Sequence, residues 1–181
     1  MKEVNSNIQT DDFDVKSILD FLFKFIKQPH LMITQIPNWS WKSLFVIQLS
    51  ISIASGLIAG ILKLNFYRIF AGLIIMPIVS TISSLLLASV LYYYFQFFEN
   101  KTESFKKIFS LVIIASIPFY LFQILSEYFS PISIIGFSMT SLLLIIGLNE
   151  IFKVNKKRCY QIVSVLFALV LITWITSQFG L

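Results

Sequence analysis

From Leu44 to Leu62 the chain is apolar at almost every position, interrupted only by Gln48 and small residues. The same pattern returns over Ile69–Phe98, Ile108–Leu125, Ile132–Ile151 and Tyr160–Phe179. A helix rising ~1.5 Å per residue needs about 20 mostly apolar residues to cross the hydrocarbon core of a bilayer. Each run meets or approaches that length, and each is far too long for an ordinary strand. The pattern predicts an all-α, multi-pass membrane protein with five transmembrane helices over about 44–62, 69–98, 108–125, 132–151 and 160–179. Composition points the same way. The 181-residue chain is 57% hydrophobic and only 13% charged, with a mean hydropathy of +0.83, more apolar surface than a soluble globule of this size can bury.

Ahead of the spans the period changes. Residues 1–13 read as a flexible polar tail. The first ten hold no apolar run, so no cleavable signal is expected and span one serves as the insertion signal. Residues 14–28 read as an amphipathic helix, with Asp11, Asp12 and Asp14 as acids at its start and Pro29 as its stop. Lys16, Asp20, Lys24 and Lys27 form one polar stripe; Val15, Ile18, Leu19, Leu22, Phe25 and Ile26 cover the other side. Too short to span, this helix is expected to lie along the membrane interface. Residues 42–181 form the membrane domain.

Charge sets an orientation. With the N-terminus inside, twelve of the fourteen Lys and Arg fall on the inner side; only Lys63 and Arg68 fall outside. The positive-inside rule therefore puts the N-terminus in the cytoplasm and the C-terminus outside. Trp39, Trp41, Tyr92, Tyr93, Tyr94 and Tyr160 take inner-interface positions, and Tyr67, Tyr128 and Trp174 outer ones. The net charge of +5 is thereby assigned to anionic lipid headgroups and not to nucleic acid. A candidate face for lipid or for a membrane or cytoplasmic protein partner follows: Trp39, Trp41, Lys106, Lys107, Glu150, Lys153, Lys156, Lys157 and Arg158.

The spans carry little reactive chemistry. No Asp, Glu, Lys, Arg or His lies in mid-span, which weighs against a pump or a proton-coupled transporter. Gly136-Phe137-Ser138 resembles the serine motif of rhomboid proteases, but Met139 follows where that motif has glycine, and the sole histidine is His30. A serine without a base is not an activated nucleophile. No HExxH, no paired carboxylates in a span and no phosphate-binding glycine loop occur, and Cys159 stands alone. Neither an enzyme nor a cofactor or metal is expected. Small residues four apart make a helix-packing ridge, Ser52, Gly56 and Gly60, and a second at Ser80, Ser84 and Ala88. Either serves packing within one bundle or a homo-oligomer. Pro77 and Pro118 are expected to kink spans two and three.

Two segments resemble the Yip family of Rab-GTPase-interacting membrane proteins and their shorter bacterial relatives. They are Ser104-Phe105-Lys106-Lys107-Ile108-Phe109, with Pro118 following, and the run Ile146–Lys156 that closes span four. The resemblance implies five spans and a cytoplasmic N-terminus. It does not carry Rab binding: where eukaryotic members have Asp-Leu-Tyr-Gly-Pro, this chain has Ile36-Pro37-Asn38-Trp39-Ser40-Trp41, and Ala115-Ser116 replaces a usual Gly-Tyr pair. The function implied is non-enzymatic, organising membrane or binding protein and lipid partners at the cytoplasmic face. The alternative is a small transporter or lipid-translocating protein, which a polar groove or a continuous water path formed by Gln48, Ser83, Ser116, Gln123 and Asn149 would favour.

Overall fold

The computed structural model describes residues 15–126 and 128–179; the readings made for residues 1–13, for Asp14 and for the segment at residue 127 lie outside them. All regular structure among the described residues is helical. The elements are α1 (Val15–Lys27), α2 (Pro29–Met32) with a 3-10 turn (Ile33–Gln35), α3 (Trp41–Leu62), α4 (Phe66–Phe98), α5 (Phe105–Ala115), α6 (Ile117–Ser126), α7 (Ile132–Glu150) and α8 (Lys156–Phe179). Taking α5 and α6 as one broken span, five helices are long and apolar enough to cross a membrane. Local signals explain the starts. The Ser40 hydroxyl caps α3 by accepting from the Ser43 N–H at 3.1 Å, and the Asn65 side chain caps α4 by accepting from the Arg68 N–H at 3.2 Å.

The third span is the axis of the bundle. Every side chain from Ile108 to Ala115 is buried, with α3, α4 and α7 packed around α5. Outer helices are the reverse: 17% of the apolar window of α4 and 11% of that of α8 are buried within the protein. Ile78, Ile82, Leu86 and Val90 on α4 and Val165, Leu169 and Ile172 on α8 are exposed. Such rows are costly in water and are what acyl chains require.

The Ser52-Gly56-Gly60 ridge meets a partner within the chain. A methyl group added at Gly56 would lie 2.7 Å from the Gly72 Cα, and one at Gly60 would lie 2.8 Å from the Ile69 Cα. The backbones of α3 and α4 thus touch where only glycine leaves room. Ser84 and Ala88 of the second ridge also turn inward. The two prolines act differently. α4 runs unbroken through Pro77, whereas the third span breaks at Ser116, two residues before Pro118. There the Ser116 hydroxyl donates to the Val112 carbonyl at 2.7 Å, and Pro118 has no N–H to continue the ladder.

The loops sort to two ends. Lys101 Nζ donates to the Phe152 carbonyl at 2.9 Å, and Arg158 pairs with Glu99 at 2.8 Å, so the α4–α5 and α7–α8 loops share the lysine-rich end. At the other end the Tyr128 hydroxyl donates to the Leu62 carbonyl at 3.3 Å, and Lys63 sits 4.9 Å from the Tyr128 ring centre. Helix α1 packs on the bundle through Ile18, Phe21 and Phe25, with Phe21 edge-on to Trp39 at 4.9 Å. Val15, Leu19, Phe23 and Ile26 form a second apolar face that stays exposed. The apolar side is therefore divided between protein and surroundings, beside the polar stripe.

The glycine contact is open to a direct check. Leucine at Gly56 or Gly72 must force α3 and α4 apart, and overpacking of this kind costs about 1–3 kcal/mol. Both variants should unfold at lower temperature in detergent, while the outward-facing Ile78→Leu should match the parent. Parental unfolding of Gly56→Leu would contradict the contact.

Candidate functional site

At the lysine-rich end a cleft of about 720 Å³ opens between the segment after α2, the start of α5 and the end of α7. Its walls include Asn38, Trp39, Ser104, Lys106, Lys107, Ser110 and Glu150. Ser104 begins α5 with extended backbone but places no side-chain hydrogen bond on the helix, so the positive end of the helix dipole goes uncapped by a side chain. One turn in, the Ser110 hydroxyl is buried and has no hydrogen-bond partner. A buried hydroxyl left unpaired costs about 1–3 kcal/mol. Two ammonium groups, a helix N-terminus and an unsatisfied hydroxyl line one wall, chemistry that suits a phosphate or carboxylate oxygen. Glu150, also in the cleft lining, spends part of its charge on Lys153 at 3.8 Å; both groups are exposed, so the pair is worth only ~0–1 kcal/mol.

A short plug holds this geometry. Phe152 and Val154 are buried on either side of Lys153, whose φ of 53° turns the chain sharply. The Asn149 amide donates to the Val154 carbonyl at 2.9 Å, and Lys101 grips the Phe152 and Lys153 carbonyls at 2.9 and 3.2 Å. Phe152 packs on Phe95 with ring centres 5.0 Å apart, and the Lys107 ammonium sits 5.1 Å from the Phe152 ring centre. The plug thus locates Lys107 through a cation–π contact.

Of the nine residues named for a docking face, the cleft brings together Trp39, Lys106, Lys107 and Glu150. Trp41 packs instead with Phe45, Phe105 and Phe109, ring centres 5.7–6.0 Å away. Arg158 is engaged by Glu99, which also accepts from the Tyr94 hydroxyl at 2.9 Å. Its hydrogen bond from Arg158 holds the Glu99 carboxyl below its ordinary pKa, against the opposing effect of burial. Lys153, Lys156 and Lys157 are exposed around the rim. Ser104 and Ser110 escaped the sequence reading. The available signal was a hydroxyl four residues after Lys106, on the same helix face.

The five polar residues named for a transport path are divided between two places. Ser83, Ser116 and Gln123 line a groove of about 540 Å³ deeper in the bundle. Gln48 donates to the Tyr120 hydroxyl at 2.8 Å, and Asn149 belongs to the plug. Among the described residues no three His, Cys, Asp or Glu side chains are grouped as a metal site. Ser138 donates to the Ile134 carbonyl at 2.8 Å within its own helix. Cys159 is fully buried, its thiol against the Val154 carbonyl.

These features describe a five-span helical membrane protein with one polar, cationic end. The Yip1 domain model matches residues 20–177, nearly the whole chain, and the protein belongs to the Yip family. No curated protein and no solved structure matches it significantly.

If the plug sets the cleft, Phe152→Ala should cost about 3–5 kcal/mol and Asn149→Ala less, with loss of protection from hydrogen exchange concentrated at residues 101–107 and 150–158. Protection lost evenly over all five spans would argue against a local role.

Proposed function

We propose that this protein is a non-enzymatic organiser of the membrane that captures anionic lipid headgroups in the cleft at its lysine-rich end, and that this end faces the cytoplasm of a bacterial inner membrane. The observation carrying the reading is the convergence of Lys106, Lys107, the α5 N-terminus and the unpartnered Ser110 hydroxyl on one opening. Headgroup phosphates lie at the depth where spans end, and each cation near an anionic surface contributes about 1 kcal/mol. The rim cations Lys153, Lys156 and Lys157 add long-range attraction. The exposed Val15, Leu19, Phe23 and Ile26 face of α1 supplies a companion contact, lying in the interface beside the cleft.

Retention of phosphatidylglycerol through delipidation, counted by native mass spectrometry, tests the cleft. Lys106→Gln with Lys107→Gln removes about 2 kcal/mol, or roughly 30-fold in affinity. Ser110→Val should lower retention further, while Lys156→Gln should have a small effect. Equal retention by the parent and the double lysine variant would reject the cleft as a headgroup site.

Orientation has its own check. Reporter fusions at Lys101 and Lys156 should behave as cytoplasmic, and one after Leu181 as exported. The opposite pattern at Lys101 and Lys156 would put the cleft on the wrong side of the membrane.

A further inference from the structure

The second cavity is a different kind of site. It lies between α4 and α8, floored by α5, α6 and α7, and its walls are mostly apolar: Leu87, Val112, Leu144, Leu166 and Val170 among them. α8 packs chiefly on α7. The groove between α8 and α4 is continuous with the exposed Ile, Leu and Val rows of both helices, which are the surfaces that meet acyl chains. Its occupant must therefore come from the hydrocarbon phase, where water is scarce. Toward the lysine-rich end the next residues on the lining helices, Leu91, Leu148 and Cys159, are fully buried, so the groove does not run into the headgroup cleft.

Polar atoms inside the groove narrow the chemistry. Ser80 and Ser116 satisfy their hydroxyls on carbonyls of their own helices at 3.1 and 2.7 Å. Thr140 does not: it is 8% exposed, lines the groove, and its Oγ1 has no partner. Gln123 Oε1, also in the lining, is buried and unpaired, while its amide nitrogen makes only a 3.6 Å contact to Met76 Sδ. A carbonyl oxygen needs a donor, and a threonine hydroxyl takes either role. A hydroxyl group answers either one. No charged side chain lines the groove, so a phosphate there would be buried without a counter-ion, which is strongly unfavourable.

We infer that the α4–α8 groove binds a neutral, hydroxyl-bearing lipid of the diacylglycerol class, with its acyl chains along the apolar walls and its hydroxyl at Thr140. The site is separate from the headgroup cleft in position and in ligand charge, and stands or falls independently of it.

The test uses the full chain in nanodiscs doped with equal amounts of photoactivatable diacylglycerol or phosphatidylglycerol carrying the same labelled acyl chain. Crosslinked peptides are mapped by mass spectrometry. Diacylglycerol should label the segments around Ser83 and Leu166 severalfold more than phosphatidylglycerol. Thr140→Val, which keeps shape and loses one hydrogen bond to the lipid, should reduce that labelling about two- to tenfold with an unfolding temperature no lower than the parent's. Leu166→Trp, which fills the groove, should abolish it. Lys106→Gln with Lys107→Gln should leave it intact. Equal labelling by the two lipids, or full labelling of Thr140→Val, would overturn the inference and reduce the groove to a packing defect filled by any acyl chain.

Discussion

The turn between α7 and α8 is the contact on which the lysine-rich end depends. Phe152 enters the core beside Phe95, Val154 follows on the other side of Lys153, and Asn149 and Lys101 take up the backbone carbonyls left by the turn. An unpaired carbonyl at the edge of the hydrocarbon region is costly, so these two polar side chains do what water does for an exposed loop. Through Phe152 the turn locates Lys107, and through the end of α7 it locates Glu150, both of which line the cleft. The positive φ of Lys153 is held because buried side chains on both sides define it.

A second constraint governs the other helices. Between helices in lipid there is no hydrophobic driving force, so association relies on close packing and backbone approach. Gly56 against Gly72 supplies this for α3 and α4, and the small residues of the ridge are used up within the chain. The α5 half of the third span is covered on all sides, and the break at Ser116 lets α5 and α6 follow different neighbours: α5 beside α4, α6 beside α7. α8, packed chiefly on α7, is left free enough of α4 to open the groove.

Much of this was legible in the amino-acid order because a bilayer imposes length and polarity so strictly. The five spans, the two loop ends and the helix before them follow from hydropathy and cation count alone. Contacts between distant residues were not legible. Arg158 resembles any basic anchor until Glu99, 59 residues away, takes its charge. Gly72 looks like an isolated small residue until Gly56 faces it. The apolar side of α1 reads as a single stripe, yet Phe21 and Phe25 go to protein while Leu19 and Phe23 stay outside. Ser110 and Thr140 are inconspicuous in apolar runs, since a lone hydroxyl in a membrane helix usually bonds to its own backbone; only the fold reveals that these two do not.

If the cleft holds an anionic headgroup, the ammonium groups of Lys106 and Lys107 touch lipid phosphate. Solid-state NMR on protein in phosphatidylglycerol-containing bilayers can read this directly, as dephasing of selectively labelled lysine Nζ signals by lipid phosphorus. Clear dephasing is expected at Lys106 and Lys107, and little at Lys101, whose ammonium is committed to the Phe152 and Lys153 carbonyls. Dephasing at Lys101 equal to that at Lys106 and Lys107, or none at all three, would contradict this contact.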